Sequence, residues 1–236
     1  PGDWGGVVLL GNAPVNTSLG RIEGLDENDL RGSFGGLEAA DSCGSLEYVR
    51  IEFAGHEIAA NNELNGLTLG GCGSGTVIRY VQVHRGLDDG IELFGGSANL
   101  EHVVISQAGD DGLDWDRGWT GMAQFVVIQQ AVSNGDNGIE ADNEKSDHNA
   151  LPRSQPTLAN LSVIGSGNLR IAQRGAVFRR GTAGHIRNAI FQGFTKEAFD
   201  IRDLATMRQA KLGMLTLQAV ILARTSTEMA YFETET

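Results

Sequence analysis

A short pattern recurs along the chain: a glycine, an apolar residue, any residue, and a second apolar residue. Its copies begin at Gly6, Gly36, Gly66, Gly90, Gly112, Gly138 and, in a weaker form, Gly175. The steps between copies are 30, 30, 24, 22, 26 and 37 residues. Steps of this size indicate a repeat architecture in which each copy begins an equivalent structural unit.

A second kind of apolar run follows the copies at similar spacing. These runs are rich in β-branched residues and roughly alternate in polarity, as β-strands do. They are Tyr48-Val49-Arg50-Ile51, Tyr80-Val81-Gln82-Val83, His102-Val103-Val104-Ile105, Phe125-Val126-Val127-Ile128, Leu161-Ser162-Val163-Ile164 and Asn188-Ala189-Ile190-Phe191. Each unit therefore contains at least two short strands joined by glycine turns.

Two strands in each unit of about two dozen residues are typical of a parallel β-helix. No stretch shows the 3.6-residue period of helical repeats, the signature of a leucine-rich repeat is missing, and a propeller blade needs about 40 residues. Stacked coils lie about 4.8 Å apart, so each strand pairs with its equivalent in the next coil. The predicted fold class is all-β, a right-handed parallel β-helix of about seven coils.

Alternation along the first strand of each unit assigns the two faces of the sheet. One inward column contains Val7, Leu37, Leu67, Ile91, Leu113, Ile139 and Ala176. The next inward column contains Leu9, Ala39, Leu69, Leu93, Trp115, Ala141 and Phe178. The outward column is mostly polar: Val8, Glu38, Thr68, Glu92, Asp114, Glu140 and Val177.

The repeat is interrupted in two places and fades toward the C-terminus. We predict a β-helix domain over residues 1–202, with loop excursions at residues 12–34 and 142–154 and a helical turn within residues 26–30. Residues 203–236 are expected to form a cap or to lead into a following segment. Within them we predict a short helix over residues 203–213 and a strand over residues 215–222.

The amino-acid composition narrows the classes of function that suit this chain. The 236 residues carry a net charge of -12 and 33 glycines. An acidic chain does not suit nucleic acid, which binds basic surfaces; it suits cations or a cation-bridged partner, or it only aids solubility. No run approaches the roughly 20 apolar residues of a membrane helix. The first residue is Pro1 rather than Met, so a mature or trimmed form is expected.

Several of these segments resemble a family of bacterial surface and secreted proteins. They are residues 3–14, 46–55, 65–71, 88–96 and 109–116, and the resemblance covers most of residues 1–194. The family belongs to the pectate-lyase-like group of right-handed parallel β-helices. The resemblance implies that fold, export to the extracellular space or the outer cell surface of a bacterium, and earlier coils before Asp3.

Two cysteines, Cys43 and Cys72, lie 29 residues apart, while the repeat advances 30 residues from Gly36 to Gly66. They are expected at nearly equivalent positions on adjacent coils, and a spacing of about 4.8 Å lies within the Cα range of a disulfide. We predict a Cys43–Cys72 bond, which would also indicate an oxidising compartment. The alternative is a pair of buried free thiols.

Acidic residues surround the glycine in three successive copies. Alignment on Gly90, Gly112 and Gly138 stacks acid on acid in columns that we call the acidic ladder. The columns are Asp88, Asp110 and Asp136; Asp89, Asp111 and Asn137; Glu92, Asp114 and Glu140; and Asp116 and Asp142. Like charges about 4.8 Å apart repel by roughly 1 kcal/mol in water and about 3.5 kcal/mol at an effective dielectric constant of 20, so the ladder needs compensation.

Two kinds of compensation are open. Calcium is one, because it takes six to eight oxygen ligands. The candidate ligands are Asp88, Asp89, Asp110, Asp111, Asp136, Glu92, Asp114 and Glu140. Turn chemistry is the other, because Asp and Asn before glycine hydrogen-bond neighbouring amides. The sequence holds no EF-hand calcium loop.

An enzyme is the alternative function. Gly109-Asp110-Asp111 resembles the Gly-Asp-Asp run of β-helix hydrolases of acidic polysaccharides, although their Gly-His-Gly and Arg-Ile-Lys motifs are missing. Asp114 and Asp116 are expected about 7 Å apart, near the separation of inverting carboxylates. In a lyase, calcium would acidify the α-proton of a uronate and an arginine would remove it. The catalytic candidates are Asp110, Asp111, Asp114 and Arg174.

Arginines and tryptophans supply candidate ligand contacts. Arg170, Arg174, Arg179 and Arg180 follow the ladder; they either bind a sugar carboxylate or neutralise the ladder in ion pairs. Trp115 falls in an inward column and Trp119 in a polar turn. The expected ligand contacts are therefore Trp119, Arg179 and Arg180.

Together these patterns predict an extracellular, non-catalytic β-helix for adhesion, surface structure or glycan binding. Calcium is the candidate cofactor, and an acidic or neutral polysaccharide or another cell-surface component is the candidate partner. The alternative is a polysaccharide lyase or glycoside hydrolase that acts on an acidic glycan.

Overall fold

A computed structural model describes residues 1–26, 28–59 and 62–232 of the chain. These residues are mostly β-structure. In chain order the strands are β1 (Val7–Leu10), β2 (Gly20–Arg21), β3 (Ser33–Phe34), β4 (Ser45–Glu52), β5 (His56–Ala59), β6 (Asn62–Leu64), β7 (Leu67–Gly70), β8 (Val77–His84), β9 (Ile91–Phe94), β10 (Asn99–Ser106), β11 (Leu113–Asp116), β12 (Met122–Gln129), β13 (Asn137–Ala141), β14 (Thr157–Ile164), β15 (Arg174–Phe178), β16 (Gly184–Gln192), β17 (Glu197–Arg202), β18 (Leu215–Ala223) and β19 (Thr227–Phe232). The described residues also form a 3₁₀ helix, Leu30–Gly32, and one α-helix, α1 (Leu204–Lys211).

Two long parallel sheets form the sides of a right-handed parallel β-helix, which confirms the predicted fold class. The first sheet has the order β1-β7-β9-β11-β13-β15-β17-β19, and the second has the order β18-β16-β14-β12-β10-β8-β4. Neighbouring strands are in register: Leu113 lies opposite Ile91 on one side and Ile139 on the other. The strands therefore stack coil on coil along one axis.

One copy of the repeat pattern is not a strand. The segment at Gly36 lies in a turn, and Leu37, which the pattern assigns to the core, has 91% of its surface exposed. Ala39, also assigned inward, is exposed as well. β1 pairs directly with β7. The inward assignments of Leu37 and Ala39 are therefore wrong, because the chain leaves the repeat after β1 and rejoins it at β4.

The other six copies lie in first-sheet strands, and their inward columns form the core. Leu67, Ile91, Leu113, Ile139 and Ala176 are all fully buried. The outward column differs from the expectation at two positions, because Thr68 and Val177 are also buried. Glu92, Asp114 and Glu140 thus lie between two buried positions of the same column.

The glycine of the repeat is required by close backbone approach. At Gly112, a Cβ atom would lie 2.6 Å from the carbonyl oxygen of Gly138 in the next coil. It would also lie 2.4 Å from the Cγ2 atom of Ile128, across the coil. Any side chain at this position would therefore separate the coils.

Each strand of the second sheet bends in its middle at a residue with a positive φ of 50 to 58°. These residues are Tyr48, Tyr80, His102, Phe125, Asn160, Asn188 and Ala219. The conformation costs roughly 1–2 kcal/mol for a residue other than glycine. The rings from Tyr48 to Phe125 stack in parallel with centroids 4.7 to 4.8 Å apart, and Asn188 donates a hydrogen bond to Asn160. Contacts between equivalent bends help to offset the strain.

Two excursions leave the coils near the N-terminal end. The first, residues 12–34, is called the strap; it contains the antiparallel pair β2–β3. The second is the antiparallel pair β5–β6, which is called the hairpin. The turn predicted within residues 26–30 appears later, as the 3₁₀ helix, and residue 27 lies outside the described residues.

The predicted loop at residues 142–154 connects β13 to β14 and folds back against the coils. Its residues Asn143 and Ser154 are fully buried, and the Asn143 side chain accepts a hydrogen bond from the Ser154 amide at 2.8 Å. The strap contacts this loop, because the Asn16 side chain donates to the carbonyl oxygen of Asn143 at 3.1 Å. Excursions from distant coils are thus joined on one side of the β-helix.

The strands continue beyond Arg202, where the sequence repeat fades. The predicted helix is present as α1, and the predicted strand is present as β18, which extends the second sheet. β19 extends the first sheet to Phe232. The role of residues 203–236 as a cap or a lead into a further segment stays a prediction.

Cys43 and Cys72 form the predicted disulfide, with Cα atoms 5.6 Å apart. The two residues lie in the turns that precede β4 and β8, which are paired strands of adjacent coils. The prediction measured the repeat from Gly36, which is not in a strand. It holds because the pairing of β4 with β8 places the two turns next to each other.

Candidate functional site

The outward face of the first sheet carries three acidic side chains on neighbouring strands. Glu92 on β9, Asp114 on β11 and Glu140 on β13 lie side by side in the strand register, as the ladder alignment predicts. Adjacent parallel strands are about 4.8 Å apart. The three carboxyl groups form the floor of a groove.

The turns that enter β9 and β11 supply a second row of acids, of which Asp89 and Asp111 are buried. Asp89 Oδ1 accepts a hydrogen bond from the Asp111 amide at 2.9 Å, and Asp111 Oδ1 accepts one from the Asn137 amide at 2.6 Å. Each carboxylate thus binds the amide one coil further along. The ladder stacks as predicted, and these two carboxylates bond amides of the adjacent coil rather than amides of their own turn.

The strap and the hairpin close the rim of the groove with two further acids. Glu23 comes from the strap and Glu63 from the hairpin. With them the groove encloses about 340 Å³ and is lined by Glu23, Glu63, Asp88, Asp89, Glu92, Asp110, Asp111, Asp114, Glu140 and Arg179. The repeat pattern contains no signal for Glu23 and Glu63, because both lie in excursions.

Asn65 extends the ladder by one coil. It precedes Gly66 as Asp89 precedes Gly90, so alignment of the glycines could have found it. Asn65 is buried, and its amide donates a hydrogen bond to the Glu92 carboxylate. An amide group therefore fits in a ladder position beside a carboxylate.

Burial raises the pKa of the carboxyl groups in the groove. Burial, with a smaller contribution from the charge of Asp110, raises the pKa of Asp88 to about 7. Burial also raises the pKa of Glu140 to about 7, although Arg179 opposes the shift. The pKa values of Asp89, Glu92, Asp111 and Asp114 are raised well above their usual range, first by burial and then by neighbouring carboxylates. At neutral pH, the groups either hold protons or need a cation.

Two groups of three carboxylates bring their oxygen atoms within 4.8 Å of one another. The first is Asp88, Asp89 and Asp110, and the second is Asp89, Glu92 and Asp114. Asp89 belongs to both. Asp114 Oδ1 is buried and has no hydrogen-bond partner in the described part of the chain. This arrangement can hold a hard divalent cation, whose ligands are carboxylate oxygens.

Arg179 and Arg180, which follow the ladder, pair with the protein's own carboxylates. Arg179 contacts Glu140, and its Nε donates to Asp142 Oδ1 at 2.8 Å. Arg180 also pairs with Asp142. These contacts match the ion-pair alternative, and ligand binding by Arg179 and Arg180 stays a prediction.

Arg174, the candidate catalytic base, lies in a separate ion-pair network. Its guanidinium is 3.1 Å from Glu197 and 3.3 Å from both Asp136 and Asp200. Asp136, a predicted metal ligand, is thus held by an arginine. Arg174 is not among the residues that line the groove, and its catalytic role stays a prediction.

Trp119 is not a ligand contact, and that prediction is wrong. Its side chain is fully buried, the ring centroid lies 5.7 Å from that of Trp115, and its Nε1 donates to the Ala98 carbonyl oxygen at 3.0 Å. The polar turn around Trp119 suggested exposure. The turn folds inward instead and is covered by the chain after the 142–154 loop, where the Gln155 amide donates to the Trp119 carbonyl oxygen. Trp115 is buried, as its column predicts.

The fold agrees with the comparison to known families. A family model described as a pectate-lyase-like β-helix domain matches residues 1–236. The chain belongs to this family. Comparisons of this β-helix domain with curated proteins and with solved structures give no match. Domains of this family are commonly extracellular, and the disulfide accords with an oxidising compartment. Within the described residues of the domain, no helix has the length and apolar character needed to cross a membrane.

Proposed function

We propose that this β-helix domain is an extracellular, non-catalytic module whose acidic groove binds calcium. The observation that carries the proposal is the pair of carboxylate triads that share Asp89, with the partnerless buried oxygen of Asp114 in the second triad. Nine carboxyl groups and one arginine line the groove. Such an excess of negative charge in a partly buried space attracts cations.

The carboxylate ligands and their strand spacing suit calcium better than magnesium. Calcium–oxygen distances are about 2.4 Å, so two ligand oxygens on opposite sides of the ion lie about 4.8 Å apart. The oxygens of each triad lie within 4.8 Å of one another. Magnesium demands near-ideal octahedral geometry at shorter distances. Carboxylates held at strand spacing suit the larger and more flexible coordination shell.

Bound calcium would serve two purposes. It would neutralise the ladder and so stabilise the coils. Its remaining coordination positions would bind the carboxylate of an acidic glycan, which the groove by itself would repel. We therefore infer a role in adhesion, surface structure or glycan binding at the outer surface of a bacterial cell. The net charge of -12 supports the cation-bridged form of that binding.

Titration calorimetry with calcium and with magnesium tests the proposal. We expect calcium to bind wild-type protein and the affinity to fall at least tenfold in Asp89→Asn, because Asp89 belongs to both triads. Asp3→Asn is the matched control, because Asp3 is an exposed aspartate outside the groove. If calcium released no heat and left the melting midpoint unchanged relative to chelator, the proposal would be wrong.

One observation supports glycoside hydrolysis as the second candidate function. Burial raises the pKa of Asp88 and Glu140 to about 7, the range of a carboxyl group that acts as a general acid. Incubation with a panel of acidic polysaccharides, followed by assays for reducing ends and unsaturated sugars, tests this candidate and the lyase together. Product release by wild-type protein that is lost in Asp88→Asn or Glu140→Gln, and also when Asp110, Asp111 and Asp114 are replaced by Ala, would establish an enzyme.

A further inference from the structure

The strap is anchored to the side of the β-helix by residues that flank the tip of the strap. The Arg117 guanidinium lies over the rings of Phe34 and Phe94, with 4.6 Å between its Cζ and the Phe94 centroid, and it donates to the carbonyl oxygen of Arg21. Ile22 and Phe34 pack with Phe94 in a small separate core. The strap is therefore held on both sides of its tip, which carries Glu23 and Gly24.

The tip of the strap meets the hairpin above the groove. Glu23 Oε2 accepts a hydrogen bond from the Glu63 amide at 3.0 Å. A Cβ atom added at Gly24 would lie 2.6 Å from Leu64 Cδ2 and 3.1 Å from Ile58 Cδ1, so the two excursions are in close contact. The contact between Glu23 and Glu63, made through the Glu63 amide, is called the clasp.

The clasp brings two like charges together at a site that faces further acids. Both side chains line the groove with the ladder carboxylates. Burial raises the pKa of Glu23; the hydrogen bond from the Glu63 amide opposes this shift, and the charge of the Glu63 carboxylate adds to it. In the absence of a cation, this repulsion opposes closure, while the hydrogen bond and the apolar contact favour it.

We propose that a cation in the groove closes the clasp, so that the strap and the hairpin act as a cation-operated cover over the acidic ladder. The inference rests on the proposed calcium binding and assigns it a consequence. Positive charge in the groove attracts both rim carboxylates and removes the repulsion between them. Closure at this edge of the groove then slows release of the ion.

Hydrogen exchange at the Glu63 amide reports the clasp directly, because that amide donates to the Glu23 carboxylate. We expect calcium to slow its exchange at least tenfold in wild-type protein, relative to chelator. The Leu67 amide is the internal control, since it donates to the Gly90 carbonyl oxygen inside the coils. Its exchange should change much less.

Glu23→Gln separates charge from hydrogen bonding. The glutamine oxygen can still accept from the Glu63 amide but carries no charge, so calcium should no longer slow exchange at Glu63. Glu38→Gln, at an exposed position outside the groove, is the matched control and should behave as wild type. Calorimetry on the same samples measures calcium binding independently.

The outcomes separate the two proposals. Calcium heat without a change in exchange at Glu63 would overturn the clasp and leave calcium binding intact. Absence of calcium heat would overturn both. Equal slowing in wild-type protein and in Glu23→Gln would overturn the role of the Glu23 charge. If Glu23→Gln fails to fold, the comparison of the Glu63 and Leu67 amides in wild-type protein still decides the proposal.

Discussion

Replacement of Asp114 by Asn should stabilise the calcium-free protein. Asp114 lies between Glu92 and Glu140 on the adjacent strands. At about 4.8 Å and an effective dielectric constant of 20, each ionised pair costs about 3.5 kcal/mol. Protonation relieves part of this cost, so we expect a gain of roughly 2–3 kcal/mol at pH 8. Because a change of 1 kcal/mol corresponds to roughly 2–4 °C in a protein of this size, the melting midpoint should rise by roughly 5–10 °C.

Calcium should reduce or reverse this difference. Ligand at one hundred times its dissociation constant stabilises the folded state by about 2.7 kcal/mol. Wild-type protein should gain this amount, whereas Asp114→Asn, which lacks one triad carboxylate, should gain much less. Urea unfolding at pH 8, in chelator and in calcium, measures both free energies.

Two comparisons decide whether the ladder charge is the cause. At pH 4, where Asp114 and its neighbours Glu92 and Glu140 hold protons because their pKa values are raised, Asp114→Asn and wild-type protein should unfold at the same urea concentration in chelator. Asp3→Asn should match wild-type protein in every condition. A variant that is less stable than wild-type protein in chelator at pH 8 would refute the reasoning, because Asp114 would then act through packing or hydrogen bonding.

The pH dependence of stability in chelator is a second prediction. Folded-state pKa values of about 7 for Asp88 and about 8 for Asp116, both raised first by burial, mean that the folded protein keeps protons that the unfolded chain releases above about pH 4. The free energy of unfolding should therefore fall as the pH rises from about 4 to about 8; urea titrations that show it rising would contradict this. Third, reduction of the disulfide, which closes a loop of 29 residues, should cost about 3.5 kcal/mol in the same assay, and an unchanged midpoint would refute this estimate. Fourth, Gly112→Ala should destabilise the protein by roughly 2–4 kcal/mol, because the added Cβ clashes with the next coil. Gly167→Ala is the control: its Cβ has open space around it, and its φ of +68° should cost only about 1 kcal/mol. Equal losses of stability in the two variants would contradict the clash as the cause.

The sequence repeat predicts most of the fold because every coil buries equivalent positions. Ile91, Leu113 and Ile139 occupy the same place in successive turns, so one alignment assigns them all. Leu37 shows the limit of this reasoning. It satisfies the four-residue pattern, yet it is exposed, because a pattern of this length also occurs by chance in a connecting segment.

The residues of the candidate site likewise fall into those that the repeat predicts and those that it does not. The stacked positions of Glu92, Asp114 and Glu140 follow from the glycine alignment, since strand pairing carries that alignment into space. Glu23 and Glu63 could not be found from the alignment. They reach the groove only because the strap and the hairpin fold back over it. The strap is held there by contacts with Arg117 and with Leu64, which are both far from the strap in sequence.

By itself, the sequence determined the coil period, the inward columns of six copies of the pattern and the acidic ladder, because repetition converts spacing along the chain into stacking along one axis. Only the tertiary structure decided that Trp119 lies in the core, that Arg174 and Arg179 pair with the protein's own carboxylates, and that Glu23 and Glu63 line the groove. Those features depend on non-repeating segments, whose positions are set by long-range packing and hydrogen bonds rather than by a period.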